Sequence, residues 1–371
     1  MKLDEVYTPA ILLDLDVAED NLRRFAELAR AHGKRLWPML KTHKSLELAA
    51  LQARFGASGF LCGTLDEVEA LARAGFRDLM YAYPAATEVS IRRILRAVES
   101  SGLIVRIDGP EAARALAAAA GAAGLRVPYT VIVDAGLHRF GVPPREAGAF
   151  ASWLAQFDSL AFRGLSTHPG HVYGASRGEE LPRYCAEESA AVALALASLR
   201  EAGFEPEIVS SGSTPTFRGT IADENLNVYH PGNYIFMDAI QLSTGTALPE
   251  QCALTVLASV ISHPREDLFL CDAGAKCLGL DLGAHGNASI RGYGVVLGHP
   301  ELSVDSLSEE VGKLHVNGPT GLKVGDRIRI IPNHACSAAN LTGYYIGVRK
   351  DTVDHAIPVD VRGNATAKNV R

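Results

Sequence analysis

Lys41 closes the apolar run Leu36-Trp37-Pro38-Met39-Leu40 and is followed by Thr42-His43-Lys44. A lysine at the end of a strand buried on both faces is costly unless paired, and a desolvated lysine is a carbonyl-seeking nucleophile. In isolation Lys41 and Lys44 read as solvated loop residues, so the weight falls on what else the chain offers. Residues 210–216 read Ser-Ser-Gly-Ser-Thr-Pro-Thr, a loop of hydroxyls and unencumbered backbone amides, and 231–234 read Pro-Gly-Asn-Tyr. Loops of this composition can grip a phosphate. A reactive amine together with a phosphate cradle is what pyridoxal 5'-phosphate requires of a protein.

Three further segments carry reactive groups. Asp134-Ala-Gly-Leu-His-Arg139-Phe-Gly141 supplies a guanidinium able to hydrogen-bond an anionic oxygen of cofactor or substrate. Thr167-His168-Pro-Gly-His171-Val-Tyr173 packs two imidazoles and a phenol into seven residues, all general acid or base candidates. Asn333-His334-Ala335-Cys336 ends an apolar run. Read as extended chain, His334 and Cys336 project to the same side and can reach one ion, and imidazole plus thiolate favours zinc over manganese or magnesium. Asp272-Ala-Gly-Ala-Lys276 also stands at a strand end, with no role assigned.

The elements that must position these groups alternate regularly. Short Val-, Ile- and Leu-rich runs at 35–40, 59–62, 78–83, 103–107, 129–134, 161–167, 207–211 and 227–234 are separated by longer segments of helical period. Eight such units predict a (β/α)8 barrel, whose working groups sit at the carboxyl ends of the strands. Thr64-Leu-Asp-Glu67 reads as a capping box opening a helix that Gly75 closes. An extra strand at 10–16, before a helix at 18–32, belongs to the other unit. After about residue 250 the texture turns β-rich, with strands expected at 253–262, 268–271, 289–297, 310–316, 326–331 and 344–348 and no convincing helix. The expected organisation is a barrel over 18–245 and an all-β unit over 246–371, completed by 1–17.

Composition narrows the partners. With 371 residues, 47% hydrophobic, 21% charged and a net charge of −6, the chain has no basic footprint for nucleic acid and no cationic membrane surface. Asp14 and Asp16 interrupt the first apolar stretch, which fits neither a signal peptide nor a membrane span. Six cysteines without framework spacing fit thiols in a reducing, cytoplasmic compartment. A small-molecule substrate is the expectation.

Taken in order, the segments TPAILLDLD, PMLKTHK, Asp134 to Gly141, GLSTHPGHVY, VSSGSTPT, HPGNYIFMD, CDAGAKC and IPNHAC resemble the D-serine dehydratase and D-threonine aldolase family, related to alanine racemase among the pyridoxal-phosphate barrels. The resemblance implies that Lys41 binds the cofactor aldehyde and that Arg139 meets its phenolic oxygen. It also implies phosphate contacts from Ser211, Gly212, Ser213, Thr214 and the loop to Thr216, and from Gly232, Asn233 and Tyr234. His168 and Tyr173 are expected beside the cofactor. A divalent ion on His334 and Cys336 and a homodimer with the active site at its interface are implied as well. Met39 and Val311 stand where relatives usually carry histidine. His-x-Cys favours a dehydratase, acting on D-serine or D-threonine to give a 2-keto acid and ammonia. The alternatives are a D-threonine aldolase, an amino-acid racemase and a non-catalytic pyridoxal-phosphate binder.

Overall fold

The computed structural model describes residues 1–175, 178–283 and 289–363. The first strand, β1 (Ala10–Asp14), stops two residues earlier than expected because Asp14 caps the next helix, its carboxylate accepting the Val17 amide at 3.1 Å. That helix, Leu15–Ala31, buries Leu15, Ala18, Leu22, Phe25 and Ala29 along one face, the helical stripe of a segment packed on a core.

Eight parallel strands follow: β2 (Arg35–Leu36), β3 (Phe60–Cys62), β4 (Leu79–Tyr81), β5 (Val105–Ile107), β6 (Val127–Ile132), β7 (Leu160–Ser166), β8 (Ile208–Ser211) and β9 (Val228–Tyr229). Neighbours pair from β5 round through β9 to β2, and β3 pairs with β4. The ring closes through single bridges, Met39 to Leu61 and Met80 to Ile104. This is the expected barrel. Its first and last strands are shorter than the apolar runs suggest, since Pro38 and Pro231 lack amide protons. The ladder still continues past them, with Met39 N donating to Pro231 O at 3.1 Å.

Ser45, Thr64 and Thr87 cap the helices that begin after them, each accepting from the backbone three residues on. Only half of the expected capping box forms. Thr64 accepts the Glu67 amide at 3.2 Å, but the Glu67 carboxylate reaches one residue beyond the cap, to the Gly63 amide at 2.6 Å. Gly75 closes the helix with a φ of 90°, a conformation that glycine adopts at no steric cost.

The remaining strands are β10 (Leu254–Arg265), β11 (Leu268–Cys271), β12 (Val295–Val296), β13 (Leu302–Leu307), β14 (Gly312–Val316), β15 (Arg327–Ile331), β16 (Tyr344–Arg349) and β17 (Thr352–Pro358). With β1 they form a nine-stranded sheet, β1 lying antiparallel to β10 and parallel to β16. β13 and β17 were not expected and the strand at 289–297 shrinks to two residues. Both unexpected strands lie at sheet edges, where a solvated face weakens the apolar signal. Two short helices, Ala275–Leu278 and Ala335–Ala339, also interrupt the β texture. Residues 284–288 and 364–371, placed above in the all-β unit, lie outside the described residues.

Candidate active site

One cavity opens at the carboxyl ends of the barrel strands, and the chain brings most of the expected groups to it. Lys41, Arg139, His168, Tyr173, Gly212, Ser213, Gly232, Asn233, His334 and Cys336 all line it. Lys41 sits in the turn Leu40–Thr42 after β2, its stem packed against Gly63, where a Cβ would come within 3.0 Å of the Lys41 Cβ. Arg139 rides on a loop held at two points. Asp134 accepts the Gly136 and His138 amides at 2.9 and 3.1 Å, and Asp108 accepts the Gly141 amide at 3.1 Å.

His168 donates from Nδ1 to the Gly212 carbonyl at 3.0 Å. Burial, then the nearby Lys41, Arg139 and Arg106 charges, push its pKa down to about 3, so the imidazole is neutral. Burial raises the Tyr173 phenol, which hydrogen-bonds Thr214.

Other expected groups turn elsewhere. Ser211 donates to the buried Glu188 at 2.5 Å instead of facing the cavity. Tyr234 is 2% exposed and packs on Phe25, with ring centroids 4.9 Å apart. Thr214 is buried and is not a lining residue. His171 is not a lining residue; its Nε2 lies 3.3 Å from Glu187. Lys44 is no solvated loop residue: it is buried in an ion pair with Glu67 at 2.8 Å.

The lining residues to which sequence reasoning gave no role include Thr42, Tyr83, Arg106, His230 and Gln241. Arg106 lies inside the barrel, its Nε donating to Ser166 Oγ at 2.7 Å, and burial lowers its pKa to about 10, which leaves it cationic at neutral pH. His230 donates from Nδ1 to the Trp37 carbonyl at 2.8 Å, and burial lowers its pKa to about 3. Its Nε2 and both polar atoms of the Gln241 amide are buried without a partner among the described residues. Their position at the end of β9 and in the helix just beyond it was the available signal.

The cavity fits pyridoxal phosphate. It joins an amine, two guanidinium groups and unpartnered buried polar atoms to a glycine-lined wall. A Cβ on Gly212 would meet His230 N at 2.7 Å, and one on Gly232 would meet Thr42 Oγ1 at 2.7 Å, so backbone alone approaches there.

The expected geometry of the metal pair needs correction. His334 is the extended N-cap of the helix Ala335–Ala339 and Cys336 lies inside that helix, so strand alternation does not bring them together. They meet because the chain turns, and Cys336 Sγ lies 3.5 Å from Thr42 Oγ1. Burial opposes charge on both, but each stabilises the other's: the His334 pKa is raised and that of Cys336 lowered. Asp281 lies 3.6 Å from His334 Nδ1. No group of three or more His, Cys, Asp or Glu suited to an ion assembles among the described residues. His334 and Cys336 thus bring one nitrogen and one sulfur to the cavity, two donors of the kinds a zinc-like ion takes.

With this geometry in place, the comparisons with known proteins decide the family. The profile of the alanine racemase N-terminal domain matches residues 13–239, and that of the putative serine dehydratase domain matches 253–348. The chain belongs to this family. It is a member of the pyridoxal-phosphate-dependent lyases of the alanine racemase-like fold. A 3-hydroxy-D-aspartate aldolase of Paracoccus denitrificans is 31% identical over 98% of this chain and 94% of its own length. A D-threo-3-hydroxyaspartate dehydratase of a Delftia species is 31% identical over 89% of this chain and 91% of its own. The solved D-threonine aldolase of Filomicrobium marinum superposes with a TM-score of 0.89 at 29% identity, covering 99% of this chain and 98% of that one. No helix among the described residues is long and apolar enough to cross a membrane.

Proposed function

We propose that this member of the family is a pyridoxal-phosphate- and metal-dependent lyase of D-3-hydroxy amino acids, acting as a dehydratase that releases a 2-keto acid and ammonia. The observation that carries this reading is that Lys41, on the barrel, and His334 with Cys336, on the β-rich part, line one cavity. A racemase or a carrier has no use for the second pair. In this reading 18–245 holds the cofactor, and 246–371 with 1–17 brings the metal pair to it.

Pyridoxal phosphate supplies the electron sink that makes a Cα carbanion accessible, and an ion on His334 and Cys336 would polarise the substrate's 3-hydroxyl as a Lewis acid. The chain's own groups do the rest. Lys41 binds the cofactor aldehyde and, once released, its amine takes the Cα proton. Arg139 holds the anionic ring oxygen, and His168, neutral and with its Nδ1 proton committed to the Gly212 carbonyl, is left with an accepting Nε2 beside the cofactor. Ser213, Gly212, Gly232 and Asn233 hold the phosphate, with Ser211, Thr214 and Tyr234 contributing through their backbone.

Aldol cleavage to glycine and an aldehyde is the second reading, favoured by the Paracoccus aldolase. The two differ in which bond at Cβ breaks, so the products separate them. D-serine, D-threonine and D-threo-3-hydroxyaspartate are each incubated with the purified protein. Keto acid and ammonia in equal amounts support dehydration; glycine in their place overturns it.

The same proposal places the active protein as a homodimer in the cytoplasm. Leu280 and Leu282, 65% and 56% exposed, flank Asp281 beside His334, so a second copy would cover apolar surface next to the site. All six cysteines are unpaired, as suits a reducing compartment.

A further inference from the structure

Glu188 projects from the helix Leu181–Glu201 into the space behind the loop that follows β8, and it is 0% exposed. Ser211 Oγ donates to its Oε1 at 2.5 Å, while Oε2 is buried with no hydrogen-bond partner among the described residues and the Thr216 hydroxyl stands close enough to the carboxyl to bear on its charge. Thr216 Oγ1 lies 3.0 Å from Ser213 Oγ, and Ser213 lines the cavity. A row of polar groups therefore leads from a buried carboxyl with one unpartnered oxygen, past the Thr216 hydroxyl, to Ser213 on the cavity wall.

Each hydroxyl in that chain has one proton to give. When Glu188 is ionised it only accepts, so Ser211 and Thr216 both donate to it. The Thr216 oxygen then accepts from Ser213, which turns its proton away from the cavity. When Glu188 is protonated it donates to Thr216, Thr216 donates to Ser213 Oγ, and the Ser213 proton is free for an anion in the cavity.

We propose that Glu188 is a positioning residue whose proton sets the direction of the Thr216–Ser213 hydroxyl chain, so that Ser213 offers a donor to a bound phosphate only when Glu188 is neutral. This rests on the reading that residues 210–216 hold the cofactor's phosphate. The titratable groups facing Glu188 are Cys185 on its own helix, Asp223 beyond the helix Phe217–Thr220 and Tyr229 on β9; all three are acids. Burial accordingly pushes the Glu188 pKa up to about 7, offset in part by the hydroxyls of Ser211 and Thr216. A group with a raised pKa keeps its neutral-state benefit below that value and loses it as pH rises through it. A phosphate dianion above the loop further favours the proton, so cofactor binding takes one up.

The test titrates full-length protein stripped of cofactor with pyridoxal phosphate, on both sides of neutral pH, and follows cofactor fluorescence. Wild type and Glu188→Gln are compared, the Gln amide being a permanent donor. Ionisations of the cofactor itself affect both proteins, so their difference isolates Glu188. Wild-type affinity should fall relative to Glu188→Gln by about tenfold for each pH unit above the Glu188 pKa. Adding Thr216→Val to each should erase the difference, and pyridoxal, which lacks the phosphate, should show none. Parallel curves for two folded, tightly binding proteins overturn the relay alone. Failure of both to bind pyridoxal phosphate more tightly than pyridoxal at any pH overturns the phosphate-loop reading, and the relay with it.

Discussion

Lys44 Nζ stands 2.8 Å from Glu67 Oε1, the two side chains 7% and 0% exposed, three residues from the lysine that faces the cavity. The other Glu67 oxygen fixes the Gly63 amide, and Gly63 supports the Lys41 stem. Lys44→Ala would leave the Glu67 charge buried and unpaired, a loss of about 3–5 kcal/mol. Thermal unfolding should show a marked fall for Lys44→Ala and a small one for Lys41→Ala. Equal melting temperatures for Lys44→Ala and wild type would mean that the pair does not hold in solution.

Covalent attachment tells the two lysines apart. After borohydride reduction and proteolysis, the cofactor mass should be found on the peptide containing Lys41, should remain in Lys44→Ala and should vanish in Lys41→Ala. A label on Lys44 in the wild type would show that the anchor lies three residues further on.

In the proposed reading Arg139 is one of two guanidinium groups on the cavity and stands beside a separate phosphate loop, so it would tune more than it anchors. Arg139→Leu should keep bound cofactor and lose on the order of 10²-fold or more in turnover, the scale of removing one charge-stabilising donor. Loss of cofactor from a folded Arg139→Leu protein would place the residue among the anchors instead.

Acid should destabilise the fold through its buried histidines. Burial lowers the pKa of His43 to about 4, and those of His168 and His230 to about 3. Unfolding lets all three gain a proton below about pH 6.5, so these groups make the native state less stable as pH falls. Glu188 acts in the opposite direction, because its raised pKa, about 7, keeps it protonated in the folded protein. Between about pH 6 and 5 the balance is two protons in favour of the unfolded state, a loss of about 3 kcal/mol per pH unit from these four groups. Denaturant midpoints at successive pH values measure it, and a midpoint that holds constant or rises on acidification through this range contradicts it.

The barrel and most of its cavity were legible in the sequence because their signals are local. Lys41 ends an apolar run, and the glycines at 212 and 232 interrupt strand ends. Arg106 was not legible, since a charged residue within a three-residue strand gives no sign of which way it points. Glu188 stands in an Ala- and Glu-rich helix, where an acid ordinarily faces solvent; only the tertiary packing turns it behind the β8 loop. His334 and Cys336 were found for the wrong geometric reason, because the turn of the chain into the helix Ala335–Ala339 is not written in their spacing.

The central claim is that the barrel amine and the His334–Cys336 pair act on one substrate, and metal removal tests it most directly. Keto acid release from D-serine, D-threonine and D-threo-3-hydroxyaspartate is measured before chelation, after it, and after returning zinc, manganese or magnesium, with metal content and cofactor absorbance recorded on each sample. The account predicts that chelation stops release, that cofactor absorbance persists because Lys41 and the phosphate loops lie on the barrel, and that Cys336→Ala behaves like the chelated protein. Full activity in metal-free protein would contradict it.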